Sequence, residues 1–291
     1  MTLLQSIVMG VIQGLTEFLP VSSSGHLALF KILFHVDTDT GLLFDVLLHV
    51  GTLIAVCVVY YKDILRMAAE LICIIADCIH NIRAWIGRRR GRHIRYRRII
   101  HNSYRKFVLM ILVSTVPTGV IGYVGRDFVE AATEILLIPG ICLIITAVLL
   151  FVSDFAGDGV KKPRQATFAN AFVVGICQGI ATLPGISRSG TTITACVLSG
   201  FERKFAVKYS FLLSIPAILG ALVLELKGAG SIAVSASEVG IYLVGMAIAA
   251  AVGYVCIKTM LVIVRRKKFK YFAIYCLAVG VLAIAGYFYL A

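Results

Sequence analysis

Charge is what this sequence of 291 residues has least of: Asp, Glu, Lys and Arg together make up 15% of it. Several stretches of about 20 residues are nearly uncharged, the length an α-helix needs to cross a hydrocarbon core. No soluble core could bury the 59% of residues that are hydrophobic, at a mean hydropathy of +0.94. The composition excludes a soluble globular domain and leaves a polytopic membrane protein. Paired cysteines are also missing. The eight cysteines, at positions 57, 73, 78, 142, 177, 196, 256 and 276, form no CxxC and no metal-ligand spacing, and read as small apolar packing residues. The first apolar run has no basic segment before it and is interrupted by Glu17 and Pro20. No cleavable signal peptide is expected, and Met1 is taken as the start of the mature chain.

Acidic residues are the scarcer sign, 15 against 28 Lys and Arg, for a net charge of +13. From Arg83 to Lys106 there are nine Arg, one Lys and no Asp or Glu. Such a run beside apolar spans reads as a cytoplasmic loop whose partners are anionic lipid headgroups, not as a nucleic-acid site.

What is present is a duplication. Leu19-Pro-Val-Ser-Ser-Ser-Gly-His26 returns in variant form as Leu183-Pro-Gly-Ile-Ser-Arg-Ser-Gly190. Gln13 and Gln178 stand 165 positions apart, as do Ser22 and Ser187, Gly25 and Gly190, and Leu47 and Leu212. Pro20 and Pro184 differ by 164, so one residue is inserted between Pro184 and Ser187.

Pro20 cannot sit inside an unbroken helix, and the serines and glycine after it are a helix-start signal. Residues 3–35 are expected as a re-entrant helix pair broken near mid-membrane, a geometry tolerated only where protein surrounds it or it lines a cavity. Spans are expected at 41–61, at 107–125 with a kink at Pro117, and at 135–152. Between the first two, residues 62–106 form a basic cytoplasmic insert that includes an interfacial amphipathic helix over 64–82. After a linker at 153–167, a second re-entrant pair at 168–200 leads to spans at 205–226, kinked at Pro216, and at 239–262 and 271–290. The loops 62–106, 153–167 and 263–270 are basic, whereas 36–41, 126–134 and 227–238 are acidic or nearly neutral. Placing the basic group inside puts both termini outside and sends the halves, 1–152 and 168–291, through the membrane from opposite faces. The expected fold is an all-α polytopic membrane protein with an inverted-topology repeat, each half one re-entrant helix pair plus three transmembrane helices.

Each broken helix restarts with Ser-X-Ser-Gly: Ser22, Ser24 and Gly25 in the first, Ser187, Ser189 and Gly190 in the second. Free N–H groups and the positive end of the helix dipole favour an anion there. Arg188 adds a guanidinium fork suited to phosphate oxygens. The first copy also holds Glu17 and His26, where the second has Ala181 or Thr182, and Thr191. A Glu, a His and an Arg together are costly to bury in a membrane, which favours a functional reading over a structural one. Glu17 can hold a metal ion or accept a hydroxyl proton, and Gln13, one turn before it, can offer an oxygen to the same ion. His26 can act as nucleophile, base or acid. Taken singly, each has a plainer reading: Glu17 as the ion-pair partner of an Arg, the serines as caps. His49, matching Ser214, reads as a packed, hydrogen-bonded histidine, and Asp45 as a pocket-lining or helix-start residue.

At these residues the chain closely resembles the undecaprenyl-diphosphate phosphatase family, the bacitracin-resistance phosphatases of bacterial inner membranes. The resemblance runs nearly end to end, through Gln13 to His26, Phe44 to Gly51, Pro184 to Gly190 and Phe211 to Pro216. It implies hydrolysis of undecaprenyl diphosphate to the monophosphate carrier lipid and inorganic phosphate, serving cell-wall synthesis and bacitracin resistance. It further implies a divalent cation, Mg2+ or Ca2+, and a site open to the extracytoplasmic side. The family's pair of an acidic residue or Gln followed by Glu falls on Gln13 and Glu17, its Ser and His on Ser23 and His26, and its phosphate-binding Arg on Arg188. Gln13 stands where many members carry Glu, which leaves one carboxylate for the metal, and Ser24 replaces a common Thr. The insert over 62–106 is longer than a minimal member needs, and an interfacial, lipid-facing role is expected for it.

Ser23, His26 or a water held by both stay open as nucleophile. The rival reading is a transporter or flippase of an anionic isoprenyl phosphate lipid, because inverted repeats with broken helices around a midplane anion site are what secondary transporters use. A scaffold within a cell-envelope complex is a third, but it leaves the intramembrane charges unexplained. The division of Glu17 and His26 to one half and Arg188 to the other favours chemistry. The sequence leaves open an oligomer, the preferred metal, and whether the monophosphate lipid is also flipped.

Overall fold

The computed structural model describes residues 1–34, 41–133, 135–157, 159–228, 236–265 and 268–290. Most of the loops expected at 36–41 and 227–238, with Glu134 and part of the basic cluster at 263–270, lie outside the described residues. The first half contains α1 (Leu3–Phe18), α2 (Ser23–Leu33), α3 (Gly41–Val59), α4 (Tyr61–Arg89), α5 (Ser103–Val124), α6 (Arg126–Thr133) and α7 (Leu137–Phe155). The second contains α8 (Phe168–Ile180), α9 (Arg188–Leu198), α10 (Arg203–Gly228), α11 (Ala236–Arg265) and α12 (Phe269–Leu290).

The local chemistry of the duplication repeats with its sequence. Thr2 caps α1, its hydroxyl accepting from the Gln5 N–H at 3.2 Å while the Gln5 side chain accepts from the Thr2 N–H at 2.8 Å. Thr167 and Asn170, each 165 positions on, make the same reciprocal cap at the start of α8. α1 stops before Pro20 and α8 before Pro184, where the missing N–H and the crowded ring forbid another turn. Each chain then restarts on a serine cap. Ser22 Oγ accepts from the Gly25 N–H at 3.3 Å, and Ser187 Oγ from the Gly190 N–H at 3.1 Å.

α5, α7, α10, α11 and α12 are each long and apolar enough to cross a membrane, and α3 with α4 forms a pair bent by 86° that makes a sixth crossing when taken together as one broken span. The outward faces are apolar, as at Val120 of α5 and Ile274 and Leu282 of α12. Packing crosses between the halves: α1 lies along α11, α8 along α5, α7 along α12, and α3 against both α11 and α10. The equivalent helices α7 and α12 run antiparallel, with Asp154 at the start of α12 and Gly140 against Gly280 and Ala283. The equivalent helices α3 and α10 are also in contact, with Tyr60 and Asp63 at the α3–α4 bend against Phe211 and Lys208, so equivalent helices pair across the two halves. This is the relation an inverted repeat requires. Glycine makes the closest approaches: a Cβ on Gly10 would sit 2.6 Å from the Gly245 carbonyl oxygen, and one on Gly175 2.2 Å from that of Ser114.

Several expected boundaries move. The amphipathic helix expected over 64–82 is the 29-residue α4, which runs on to Arg89 because Ile79, Ile82, Trp85 and Ile86 continue its apolar stripe and arginine is a good helix former that suits a helix C-terminus. α5 starts at Ser103, inside the expected insert, because Asn102 caps it by accepting from the Arg105 N–H at 2.7 Å. The loop expected at 126–134 contains α6, and α7 extends three residues into the expected linker. All eight cysteines are free, but Cys73, on α4, is exposed rather than packed inside.

The segment after α4 folds back along it. Asn81 brackets the Arg97 backbone, donating to its carbonyl and accepting from its N–H, both at 2.8 Å. Arg105, 6% exposed, donates to Glu70 at 2.9 Å and to Asp77 at 2.5 Å, and Arg97 reaches Asp77 at 3.3 Å. The hydrogen bond from Arg105, against partial burial and helped by Arg97, holds the Asp77 carboxyl below the usual carboxylate range. Burial pushes the Glu70 carboxyl up, but hydrogen bonds from Arg105 and Asn102 outweigh it and leave that group lowered too.

Candidate active site

The two breaks meet. A Cβ on Gly25 would lie 3.0 Å from the Gly185 Cα, and one on Gly190 3.1 Å from the Pro20 Cβ, so each restart packs on the other half's break. Gly185 has φ +93° and a Cβ there would strike the Pro139 carbonyl at 2.3 Å, which makes glycine necessary at that turn. Ser189 Oγ donates to the Leu19 carbonyl at 3.3 Å, and Ser187 Oγ stands 3.4 Å from Ser189 Oγ as Ser22 Oγ does from Ser24 Oγ. Ser22 is the only non-glycine with positive φ among the described residues, at +70°. Such a conformation costs about 1–3 kcal/mol and persists where the surroundings over-determine it.

Glu17 is the centre of the cluster. Its side chain is 4% exposed, on the last turn of α1. The Arg188 guanidinium, at the first position of α9, pairs directly with Oε1. Ser23, the first residue of α2, donates its hydroxyl to Oε2 at 2.6 Å. The Gln13 amide donates to the same oxygen at 3.2 Å. A cavity opens beside the ion pair, lined by Glu17, Arg188, Ser189, Ser210 and Ser214 with Phe18 and Phe211. Thr192 and Ser210 hydroxyls, 2.5 Å apart, brace its α9–α10 wall. Thus Glu17, Ser23, Arg188 and Gln13 come together as one hydrogen-bonded group, with Ser22, Ser24, Gly25, Ser187, Ser189 and Gly190 forming the two restarts around it.

His26 faces another way. Its Nδ1 lies 2.7 Å from the Ser22 carbonyl, an acceptor only, so Nδ1 carries the proton, and Nε2 accepts from the Tyr275 hydroxyl at 2.8 Å. The two rings lie nearly parallel, 8° apart, with centroids separated by 5.5 Å. Tyr275 had no signal in the sequence, being 249 positions away on the half-exposed side of α12. His49 is brought closer than its sequence reading suggested: Nδ1 is 3.0 Å from the Gln13 amide nitrogen and 3.8 Å from Glu17 Oε2. The signal that could have found it is its match to Ser214, which lines the cavity from the other half. Asp45 takes no part in the cluster and pairs with Lys31 of α2.

The donors suit a cation only in part. The described residues hold no group of three or more His, Cys, Asp or Glu that could cage a metal. Both Glu17 oxygens are engaged, but Gln13 Oε1 is buried without a partner. A hard divalent ion needs six or more oxygens, and Mg2+ in particular takes one or two from protein and the rest from phosphates and water. Glu17 and Gln13 Oε1 fit a cation that arrives on a diphosphate, not one held in a protein cage.

A family model for the bacitracin resistance protein BacA matches residues 6–282. The chain is 39% identical over 284 residues to an undecaprenyl-diphosphatase of Alkaliphilus metalliredigens, covering 98% of each. It is 36% identical over 283 residues to one of Methanosphaera stadtmanae, covering 97% of each, and 39% over 289 residues to one of Desulforapulum autotrophicum, covering 99% of each. With a match that spans both breaks, both halves and the whole Glu17–Arg188 cluster, the chain belongs to the BacA family of bacitracin resistance proteins.

Proposed function

We infer that the protein is an integral membrane undecaprenyl-diphosphatase, hydrolysing undecaprenyl diphosphate to undecaprenyl phosphate and inorganic phosphate. This returns the carrier lipid to peptidoglycan synthesis and accounts for bacitracin resistance. The observation that carries the reading is the contact of Ser23 Oγ with Glu17 Oε2 at 2.6 Å, beside the Arg188 guanidinium, where two helix N-termini converge. A transporter would need an anion site but not a hydroxyl already paired to a buried carboxylate.

In this reading Arg188 leaves Glu17 to grip the terminal phosphate, and the N–H groups at the starts of α2 and α9 offset charge on the transferred phosphoryl group. Glu17 takes the Ser23 proton as Oγ attacks the terminal phosphorus. The bond to the bridging oxygen breaks, and undecaprenyl phosphate departs. Water then attacks the phosphoserine, phosphate leaves, and Ser23 regains a proton. His26, turned to Ser22 and Tyr275, fixes the first restart rather than attacking. A divalent cation, Mg2+ or Ca2+, held by Glu17 and Gln13 would neutralise part of the diphosphate charge when bound.

The isoprenyl tail lies among the lipid-facing apolar helices. The basic side, with α4 and its arginines, faces the cytoplasm of a bacterial inner membrane, which places the mouth of the first restart on the extracytoplasmic side. α4 carries exposed Ile72, Ile75, Ile82 and Trp85 beside Arg88, Arg89 and Arg92, a composition that suits anionic headgroups. The test is phosphate release from an isoprenyl diphosphate by the purified protein, with and without chelator, for wild type and Glu17→Ala, Ser23→Ala, His26→Ala and Arg188→Ala. Cation-dependent release that collapses in Glu17→Ala and Arg188→Ala supports the reading. No release from folded wild type in any of several metals would sink it and turn attention to lipid flipping.

A further inference from the structure

The Gln13 amide makes two contacts from one nitrogen. Nε2 lies 3.2 Å from Glu17 Oε2 and 3.0 Å from His49 Nδ1. An ionised Glu17 accepts only, so the end of the amide facing it is the NH2, and its second hydrogen is the one shared with His49. His49 Nδ1 is then an acceptor, with the imidazole proton on Nε2. The carbonyl Oε1 is thereby turned away from both groups and is buried without a partner. Leaving such an oxygen unsatisfied carries a desolvation penalty. Glu17 fixes which end of the amide faces it, and His49, by taking the second hydrogen, fixes the plane of the amide and with it the direction of Oε1. We propose that His49 is a positioning residue of the catalytic centre: its Nδ1 holds the Gln13 amide so that the NH2 serves Glu17 and Oε1 is kept for the cation carried by the diphosphate. The contribution of α3 mirrors that of α10, whose equivalent Ser214 lines the cavity. It also gives Gln13 a defined use as the neutral member of the pair with Glu17.

The inference rests on the phosphatase reading, and its test separates the two. Asparagine places an acceptor oxygen near the position of a histidine Nδ1, whereas leucine fills similar space with none. His49→Asn is expected to keep kcat/KM within about threefold of wild type and His49→Leu to lose about 10–100-fold, the range for removing an outer support of a ligand, with an increase in the cation concentration needed for half-maximal rate. Equal rates in His49→Leu and wild type, or equal losses in both variants, would overturn it. Independently of activity, the 15N spectrum of histidine-labelled protein, with His49→Asn identifying the resonance, should show His49 Nδ1 unprotonated and shifted in Gln13→Leu. A protonated Nδ1, or one indifferent to Gln13→Leu, overturns the proposal even if the protein releases no phosphate at all. Absent release with the expected spectrum fails the phosphatase reading alone.

Discussion

Arg188 of the second half is the direct counterion of Glu17 of the first. In the phosphatase reading the carboxylate thus occupies the guanidinium that a phosphate has to reach, and binding would exchange one anion for another. Arg188→Ala should lower kcat/KM by about 100-fold or more, the scale for removing one donor to a developing oxyanion, and Arg188→Lys should recover only part, keeping the charge but not the fork. The double variant Glu17→Ala with Arg188→Ala should lose little more than the worse single one, since the pair acts as a unit. Steady-state phosphate release measures all three.

Ser23 and His26 should differ in kind. Removing the Ser23 hydroxyl is expected to lower kcat by about 10³-fold or more, and His26→Ala by less, because His26 supports the Ser22 carbonyl from outside the cluster. Rapid acid quench of the wild type followed by peptide mass spectrometry should find phosphate on Ser23. Phosphate on His26 would reverse the assignment.

Two glycines should respond oppositely to alanine. At Gly175 a Cβ would meet the Ser114 carbonyl at 2.2 Å, so Gly175→Ala should force α8 from α5 and cost about 1–3 kcal/mol. Gly119 has nothing within 4 Å, and Gly119→Ala should be neutral or stabilise α5 by up to about 1 kcal/mol. Thermal unfolding in detergent should lower the apparent Tm for the first and not for the second.

Trp85 is the only tryptophan, on α4 with Arg89 4.2 Å above its ring, so its fluorescence reports on the basic insert. The Glu70 and Asp77 carboxyls are lowered by folding. Their contribution is therefore complete above the ordinary carboxylate pKa of about 4 and is lost as pH falls through the lowered values. Trp85 emission should stay constant from neutral pH to about 5 and change below about 4. Arg105→Gln, which removes the Arg105 share of the lowering but leaves those of Arg97 and Asn102, should move the change in emission to higher pH.

The breaks were legible because Pro20 and Pro184 forbid helix and the serines after them cap one, both properties of a few adjacent residues. The joining of Glu17 to Arg188 was legible only as a convergence of two restarts, since 171 positions separate them and the repeat supplied the symmetry. His49 and Tyr275 carried too little local signal: whether a histidine on an apolar helix meets a carboxylate depends on how α3 crosses α1, and Tyr275 is one of several aromatics on a helix that packs on α7 along one side and is exposed along the other. The length of α4 was hidden by its arginines, which read as loop by charge although they propagate a helix.

The crossed packing has a consequence for biosynthesis. Ser6 of α1 hydrogen-bonds the Ile241 carbonyl, 235 positions later, and Gly10 rests on Gly245. A ribosome therefore delivers the first broken helix long before the strut that seats it exists. Until α11 emerges, the Glu17 carboxylate and the bare N–H groups of α2 have no finished protein interior, so the nascent first half must be sheltered by the insertion machinery or held shallow at the lipid surface. Chains that terminate before α11 should be recognised as incomplete and removed by membrane proteases.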